Sequence, residues 1–322
     1  MSIAAIRDLI SDDLKQVDEV IRASLYSDVA LIRQVAEYTI SAGGKRLRPA
    51  LVLLAAGIFG YQGRQHYDLA AVVEFIHTST LLHDDVVDAS ELRRGKASAN
   101  ALFGNAAAVL VGDFVYSRSF QLMVSVNNMR VLEVLAEATN TIAEGEVLQL
   151  VNSHNFDVNA ESYLKVIRYK TAKLFEAAAR LGAVVGGASR AEENALGKYG
   201  MHLGTAFQLV DDILDYSGDA ETTGKNLGDD LSEGKTTLPL IYAMQHGNSE
   251  QAELIREVVG RGGRDQFAGV LTAIIDTGAL EFTREQAQAE AQAAKRALAS
   301  FPRSRYSDCL LQLADFSVTR NY

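Results

Sequence analysis

The sequence predicts an all-α fold, and three observations carry that expectation. Only three prolines, Pro49, Pro239 and Pro302, interrupt 322 residues, so the stretches between them run far longer than any strand. Alanine and leucine, both strong helix formers, dominate, and Trp is absent. Alternating apolar runs joined by Asn-Gly turns are missing. Typical helix lengths then predict a single large helical bundle of roughly ten or more helices.

The elements follow in order. Ser41 to Arg48 (SAGGKRLR) separates two helical patterns, and Pro49 opens the second as a first-turn residue. Ala71 to Asp88 reads as one long helix, because Val72, Phe75, Ile76 and Leu82 recur at helical spacing with the small Ser79 on the same face. Val131 to Leu150, Tyr163 to Val185, Ala191 to Tyr216 and Phe282 to Phe301 read likewise. Ala89 to Lys96 (ASELRRGK) and Ser217 to Lys235 are polar breaks, the second the longest. No composition shift, repeat or low-complexity tract divides the chain, so residues 1–322 are expected to form one domain.

Composition excludes several classes. At 48% hydrophobic the chain is too apolar for intrinsic disorder. The longest apolar run, Pro49 to Gly60, falls short of the roughly 20 residues a membrane span needs. A single cysteine, Cys309, permits neither an intrachain disulfide nor a cysteine zinc cage. Met1 to Lys15 carries Asp8, Asp12 and Asp13 and lacks the order of a signal peptide, so a reducing cytoplasm is expected. The net charge of −10 disfavours nucleic-acid binding through a global basic field. An anionic substrate would need local positive clusters or metal ions.

Two acidic triplets supply the first half of such a site. Asp84, Asp85 and Asp88 form D-D-x-x-D inside an apolar helix, and Asp211, Asp212 and Asp215 repeat that spacing inside another. Asp84 and Asp88 share one helix face, where like charges destabilise the helix. At an effective dielectric near 20, carboxylates about 5 Å apart repel by roughly 3 kcal/mol. One triplet alone reads equally as a solvated helix end; its recurrence among Leu, Ile and Val favours a cation that neutralises it. Carboxylate oxygens without cysteine suit Mg²⁺ before Ca²⁺, and Mg²⁺ commonly binds through one or two carboxylates plus substrate phosphates.

The other half must be cationic. Lys45, Arg46 and Arg48 sit in a glycine-entered loop at a helix start, and Arg93, Arg94 and Lys96 follow the first triplet. Guanidinium forks and helix N-terminal amides both suit phosphate, though either cluster alone reads equally as a basic surface turn. Lys225 and Lys235 lie in the loop after the second triplet. His77 stands seven residues before Asp84, two turns away on the same face, where a satisfied core histidine is the commoner occupant. Gly228 to Thr236 (GDDLSEGKT) mimics a P-loop but has one residue too many between its glycines, no preceding strand, and aspartates where phosphate would sit.

Taken jointly, GGKRLRP, LLHDDVVDASELRRGK, KTA, FQLVDDILDYSGD and GKNLGDDLSEGKTTLP resemble the trans-isoprenyl diphosphate synthases, from about Ser41 to Leu240. EFIHTSTLLHDDVVD, GNAAAVLVGDF and IAEGEVLQL resemble the bacterial octaprenyl diphosphate synthases of that family. The resemblance implies the isoprenoid synthase bundle with a central apolar cavity. It implies a metal site of Asp84, Asp88 and Asp211 holding Mg²⁺, three ions when diphosphate is bound, with Asp85, Asp212 and Asp215 completing the acidic motifs. Arg93, Lys170, Lys225 and Lys235 would meet the phosphates of an allylic diphosphate, and Lys45, Arg48, His77 and Arg94 those of isopentenyl diphosphate. Thr171 and Gln208 would face the allylic cation left after ionisation. The family further implies a homodimer, with Ala106 to Val115 a candidate interface, transient membrane-surface contact for product release, and a role in making the side chain of a respiratory quinone such as ubiquinone.

Chain length is expected to be set along the first acidic helix. Ser79, five residues before Asp84, and its neighbour Thr80 are small where early-stopping members of the family carry aromatic rings. The product should therefore be long, with Met123 a candidate floor that reads equally as an ordinary core methionine. Shorter-chain synthases, non-catalytic synthase subunits and terpene cyclases remain the competing readings. The second aspartate triplet and GKRLRP argue against a cyclase, and six intact aspartates argue against a non-catalytic subunit.

Overall fold

A computed structural model describes residues 3–41, 43–217 and 227–320. Within these the chain is helical almost throughout, as its composition predicts. By contacts it divides into two compact units, residues 1–139, 174–200 and 297–313 in the first and 140–173, 201–296 and 314–322 in the second.

In the first unit, α1 (Ile3–Leu9), α2 (Ser11–Ser24) and α3 (Ala30–Ser41) lead into α4 (Leu47–Ile58) and α5 (Gln65–Val87). The spacing predicts α5 from Ala71; the helix begins six residues earlier, and Asp88 is its C-cap. The predicted single stripe understates its burial. Every residue from Leu69 to Ile76 is buried, because this stretch is apolar all round except for Glu74, whose carboxylate meets Arg46 Nη1 at 2.5 Å. Two short strands, β1 (Leu92–Arg93) and β2 (Lys96–Ala97), pair antiparallel within the loop after α5. They correct the expectation of a plain turn: Arg94 and Gly95 both take positive φ (55° and 73°), the requirement of a two-residue hairpin turn. After α6 (Ala99–Phe103), α7 (Asn105–Ser125) packs along α5. Gln65 Nε2 donates to the Val126 carbonyl (3.0 Å) and the His83 ring meets that of Val109 (3.1 Å), so α5 and α7 run antiparallel.

The helix α8 (Met129–Asn152) matches its prediction closely, and its residues from Asn140 belong to the second unit. The predicted helix from Tyr163 to Val185 is instead α9 (Ala160–Ile167), a π-helical turn (Arg168–Ala172) and α10 (Lys173–Val185). Gly145 of α8 explains how the widened turn is accommodated: a Cβ there would lie 2.6 Å from the Lys170 backbone nitrogen. α11 (Arg190–Ser217) agrees with its prediction to one residue at each end. A one-turn helix α12 (Asp229–Ser232) precedes α13 (Leu238–His246), α14 (Ser249–Arg261), α15 (Phe267–Asp276), α16 (Ala279–Ala297) and α17 (Arg305–Thr319). One core of the second unit joins Tyr163 and Ile167 of α9 to Leu209 and Val210 of α11, Ile241 of α13 and Ala287 of α16. Among the described residues no helix is long and apolar enough to cross a membrane.

Candidate active site

In the first unit, α5 ends in its own aspartates. The amide of Asp88 bonds to the Asp84 carbonyl (2.8 Å) and that of Ser90 to the Asp85 carbonyl (2.9 Å), while Ala89 turns left-handed. Three carboxylates thus crowd a helix C-terminus, where the macrodipole already disfavours negative charge. Asp84 and Asp88 are half-buried and Asp85 is buried. The Arg93 guanidinium, returned by the hairpin, donates to Asp85 Oδ1 through Nε (2.9 Å) and through Nη2. Asn100 Nδ2 fixes the corner by donating to the carbonyls of Asp85 (3.0 Å) and Ser90 (3.1 Å).

The two basic clusters meet around His77. Arg94 lies against Gly44, its Nη1 only 3.0 Å from where a Cβ would stand. Burial holds His77 well below its usual 6.5, and Arg48, Arg94, Arg93 and Arg46 push it further the same way. A neutral imidazole is therefore set among four guanidinium groups, from the start of α4 and from the hairpin, an arrangement whose charge suits an anion. Arg48 lies over the Phe175 ring at 4.5 Å, and Lys45 is half-buried beside it in sequence. Arg46, held by Glu74 and by Asp18 (3.7 Å), is tied into the protein instead.

Further along α5, Ser79 is buried, and the half-buried Thr80 donates to the His77 carbonyl (2.9 Å). Met123 is buried on α7. The antiparallel pairing sets Met123 near the level of Leu69, about 15 Å beyond Ser79 on the side away from Asp84.

In the second unit, α11 carries Asp211, Asp212 and Asp215 with the same division: the middle carboxylate is buried and its neighbours half-buried. Asp211 Oδ1 receives Arg320 Nη2 at 2.5 Å; the same guanidinium donates to the Phe207 carbonyl (2.6 Å) and lies 3.7 Å over the Phe207 ring. Asp212 accepts from the Tyr163 hydroxyl and from Gln208 Nε2 (2.9 Å). Burial, followed by the nearby Asp230, pushes Asp212 up to about 8, against the lowering effect of those two hydrogen bonds. Asp215 receives the amides of Asp229 (3.2 Å) and Asp230 (3.3 Å) at the start of α12. The place a phosphate would take in a P-loop thus belongs to the protein's own carboxylate.

Thr171, on the π-turn, donates to Gln208 Oε1 (3.2 Å). Lys170 Nζ meets Glu146 at 2.5 Å, and Lys235 pairs with Glu233. Lys225 lies outside the described residues. Asp84 and Asp88 in the first unit, and on its own Asp211 in the second, offer hard oxygen donors of the kind that suits Mg²⁺. Among the described residues no three His, Cys, Asp or Glu side chains form a ready metal cage. A metal completed by substrate phosphates and water does not require one, so the donor set fits.

Arg320, Tyr163, Asn100 and Glu146 are additions the sequence did not single out. Arg320 gives no local signal, lying 109 positions from Asp211. Tyr163 was legible only as the start of a helix.

The chain is similar to known proteins over its whole length. Residues 29–275 match the family model described as polyprenyl synthetase. The chain is 52% identical over 322 residues to the octaprenyl diphosphate synthase of Escherichia coli (strain K12), covering 100% of both. It is 50% identical over 323 residues to that of Haemophilus influenzae, covering 100% of this chain and 98% of the relative. A polyprenyl synthase from Caulobacter crescentus, solved with calcium and isoprenyl diphosphate, superposes with a TM-score of 0.97 at 48% identity, covering 100% of this chain and 98% of that one.

Proposed function

We infer what this chain does from one fixed point: it belongs to the polyprenyl synthetase family. It is a trans-prenyl diphosphate synthase, a prenyltransferase of isoprenoid biosynthesis that joins isopentenyl diphosphate to an allylic diphosphate. The product is octaprenyl diphosphate, grown from farnesyl diphosphate, for the side chain of a respiratory quinone. The observation that carries the reading is the pair of D-D-x-x-D turns, each with its middle carboxylate buried and its outer two reaching solvent. The family is generally Mg²⁺-dependent; three ions, when bound, would neutralise the diphosphate and draw off the charge that develops as it leaves.

Asp84 and Asp88, and separately Asp211, are the carboxylates that the family resemblance assigns to Mg²⁺. Arg93, Lys170, Lys225 and Lys235 hold the allylic phosphates, with Arg93, Lys170 and Lys235 exchanging carboxylate partners for phosphate. Lys45, Arg48, Arg94 and the neutral His77 hold isopentenyl diphosphate. A neutral His77 donates one hydrogen bond without adding a fifth charge to the cluster. When the allylic C–O bond breaks, the oxygens of Thr171 and Gln208 face the carbocation with their lone pairs. The double bond of isopentenyl diphosphate attacks, and the released diphosphate takes the proton, so no side-chain base is needed.

Each elongation buries five more carbons, worth several kcal/mol gross at about 0.8 kcal/mol per CH₂, so release of a long product is slow. Transient contact with a membrane surface from the cytoplasm would accept it. The exposed Leu102, Val109, Leu110, Phe120 and Val124 of α6 and α7 supply an apolar face for a homodimer. The single-domain reading is retained: the chain passes between its two units five times, after residues 139, 173, 200, 296 and 313, which independent domains would not do.

The test is incubation with labelled isopentenyl diphosphate, farnesyl diphosphate and Mg²⁺, followed by chromatography. An eight-unit product is expected. A product stopping at three or four units overturns the chain length, and turnover of the allylic substrate without isopentenyl diphosphate overturns the reaction.

A further inference from the structure

Tyr163 has no role in the reaction as described above, yet it begins a chain of hydrogen bonds that ends at the reacting centre. Its ring is buried and its hydroxyl donates to Asp212 Oδ2. Asp212 Oδ1 accepts from Gln208 Nε2 (2.9 Å), and Gln208 Oε1 accepts from Thr171 Oγ1 (3.2 Å). Four side chains from α9, the π-turn and α11 are thereby connected, with every proton donated toward Asp212.

That polarity matters because a glutamine amide is nearly symmetric in shape and opposite in charge at its two ends. With its NH₂ committed to Asp212, Gln208 must turn its oxygen to Thr171. Thr171 then spends its only proton on Gln208, and the rest of its oxygen presents lone pairs. With the amide reversed, Nε2 would donate to Thr171, and the threonine proton would be free to point at a developing cation, which it would destabilise.

Resting on the role given above to Thr171 and Gln208, we propose that Tyr163 is a positioning residue: by anchoring Asp212 it fixes the Gln208 amide and so selects the electronegative side of Thr171. Asp212 is the intermediary in this scheme. Burying it beside Gln208 also explains why the middle aspartate of this turn is withdrawn from solvent.

The experiment is a double-mutant cycle of Tyr163→Phe and Gln208→Ala, with kcat and KM measured for both diphosphates at saturating Mg²⁺. Tyr163→Phe should lower kcat on the order of tenfold, the scale of one hydrogen bond. KM should stay within about twofold for both substrates. In the Gln208→Ala background the same substitution should change nothing further, since its effect passes through the amide. An equal loss in both backgrounds, a loss confined to KM, or an unchanged kcat overturns the proposal. A Gln208→Ala enzyme with full kcat overturns the role of Gln208 itself, and the proposal with it. If circular dichroism finds Tyr163→Phe unfolded, Asp212→Asn replaces it in the cycle. Its side chain keeps the shape but offers donor and acceptor alike, so the same outcomes decide.

Discussion

The two acidic turns share a spacing and differ in everything that surrounds it. In the first, buried Asp85 is neutralised by a cation, Arg93, brought back by a hairpin eight residues later. In the second, buried Asp212 is held by two neutral donors, Tyr163 and Gln208. Asp88 caps its own helix in the first turn, whereas Asp215 in the second accepts the first amides of another. A charged pair and a pair of neutral donors are two solutions to one problem, how to bury the middle of three carboxylates. The difference teaches that the middle aspartate of each turn is shaped by its own neighbourhood, while the outer two reach solvent.

The largest expected effect breaks the comparison at its outer positions. Asp84→Ala and Asp211→Ala, each folded, should lose condensation by on the order of a thousandfold at saturating Mg²⁺, measured as single-turnover product. Near-normal turnover in both would sink the assignment of the acidic turns.

The middle positions sharpen it. Asp85→Asn leaves the partly buried Arg93 without its carboxylate and should cost about 2–3 kcal/mol of stability. Asp212→Asn turns one of two acceptor oxygens into a donor but strands no cation, and should cost only about 1 kcal/mol. Urea melts of the two metal-free proteins compare them directly, and equal losses would mean that the two turns are not differently built.

A smaller effect follows from His77. Its folded state refuses the proton that the unfolded chain accepts near 6.5. Stability should therefore fall as pH drops through the window just below 6.5, by about 1 kcal/mol or less within half a pH unit. His77→Gln should flatten that part of the profile, and a curve of unchanged slope would show the histidine to be charged among its arginines. The smallest effect on turnover is expected of Ser79→Phe, which should shorten the product with little loss of total incorporation; an unaltered length would place the growing chain elsewhere.

Much of this was legible in advance. Three of the five named helices, counted from the proline-free stretches, agree with the structure to within two residues or lie inside a longer helix: α5, α8 and α11. The meeting of GKRLR and RRGK at His77 was implied by the family resemblance, whereas spacing alone made His77 a core histidine and each cluster equally a surface turn. What escaped depends on contacts distant in sequence. The π-turn needs Gly145 on another helix to make room for it, and nothing local in Arg168 to Ala172 announces it. The helix from Phe282 stops at Ala297, short of the predicted Phe301, because periodicity marks ends poorly. The hairpin rests on Arg94 taking a left-handed backbone that glycine or asparagine would have advertised. Lys225 falls outside the described residues, so its expected place is neither met nor missed.

The grip of Arg320 on Asp211 has a consequence for how the molecule is made. Synthesis runs from the amino terminus, and earlier segments fold while later ones are still being added. The second acidic turn can be threaded, wound and packed long before its guanidinium partner exists. During translation that aspartate waits uncompensated, and only the emergence of the distal tail from the ribosome completes its surroundings.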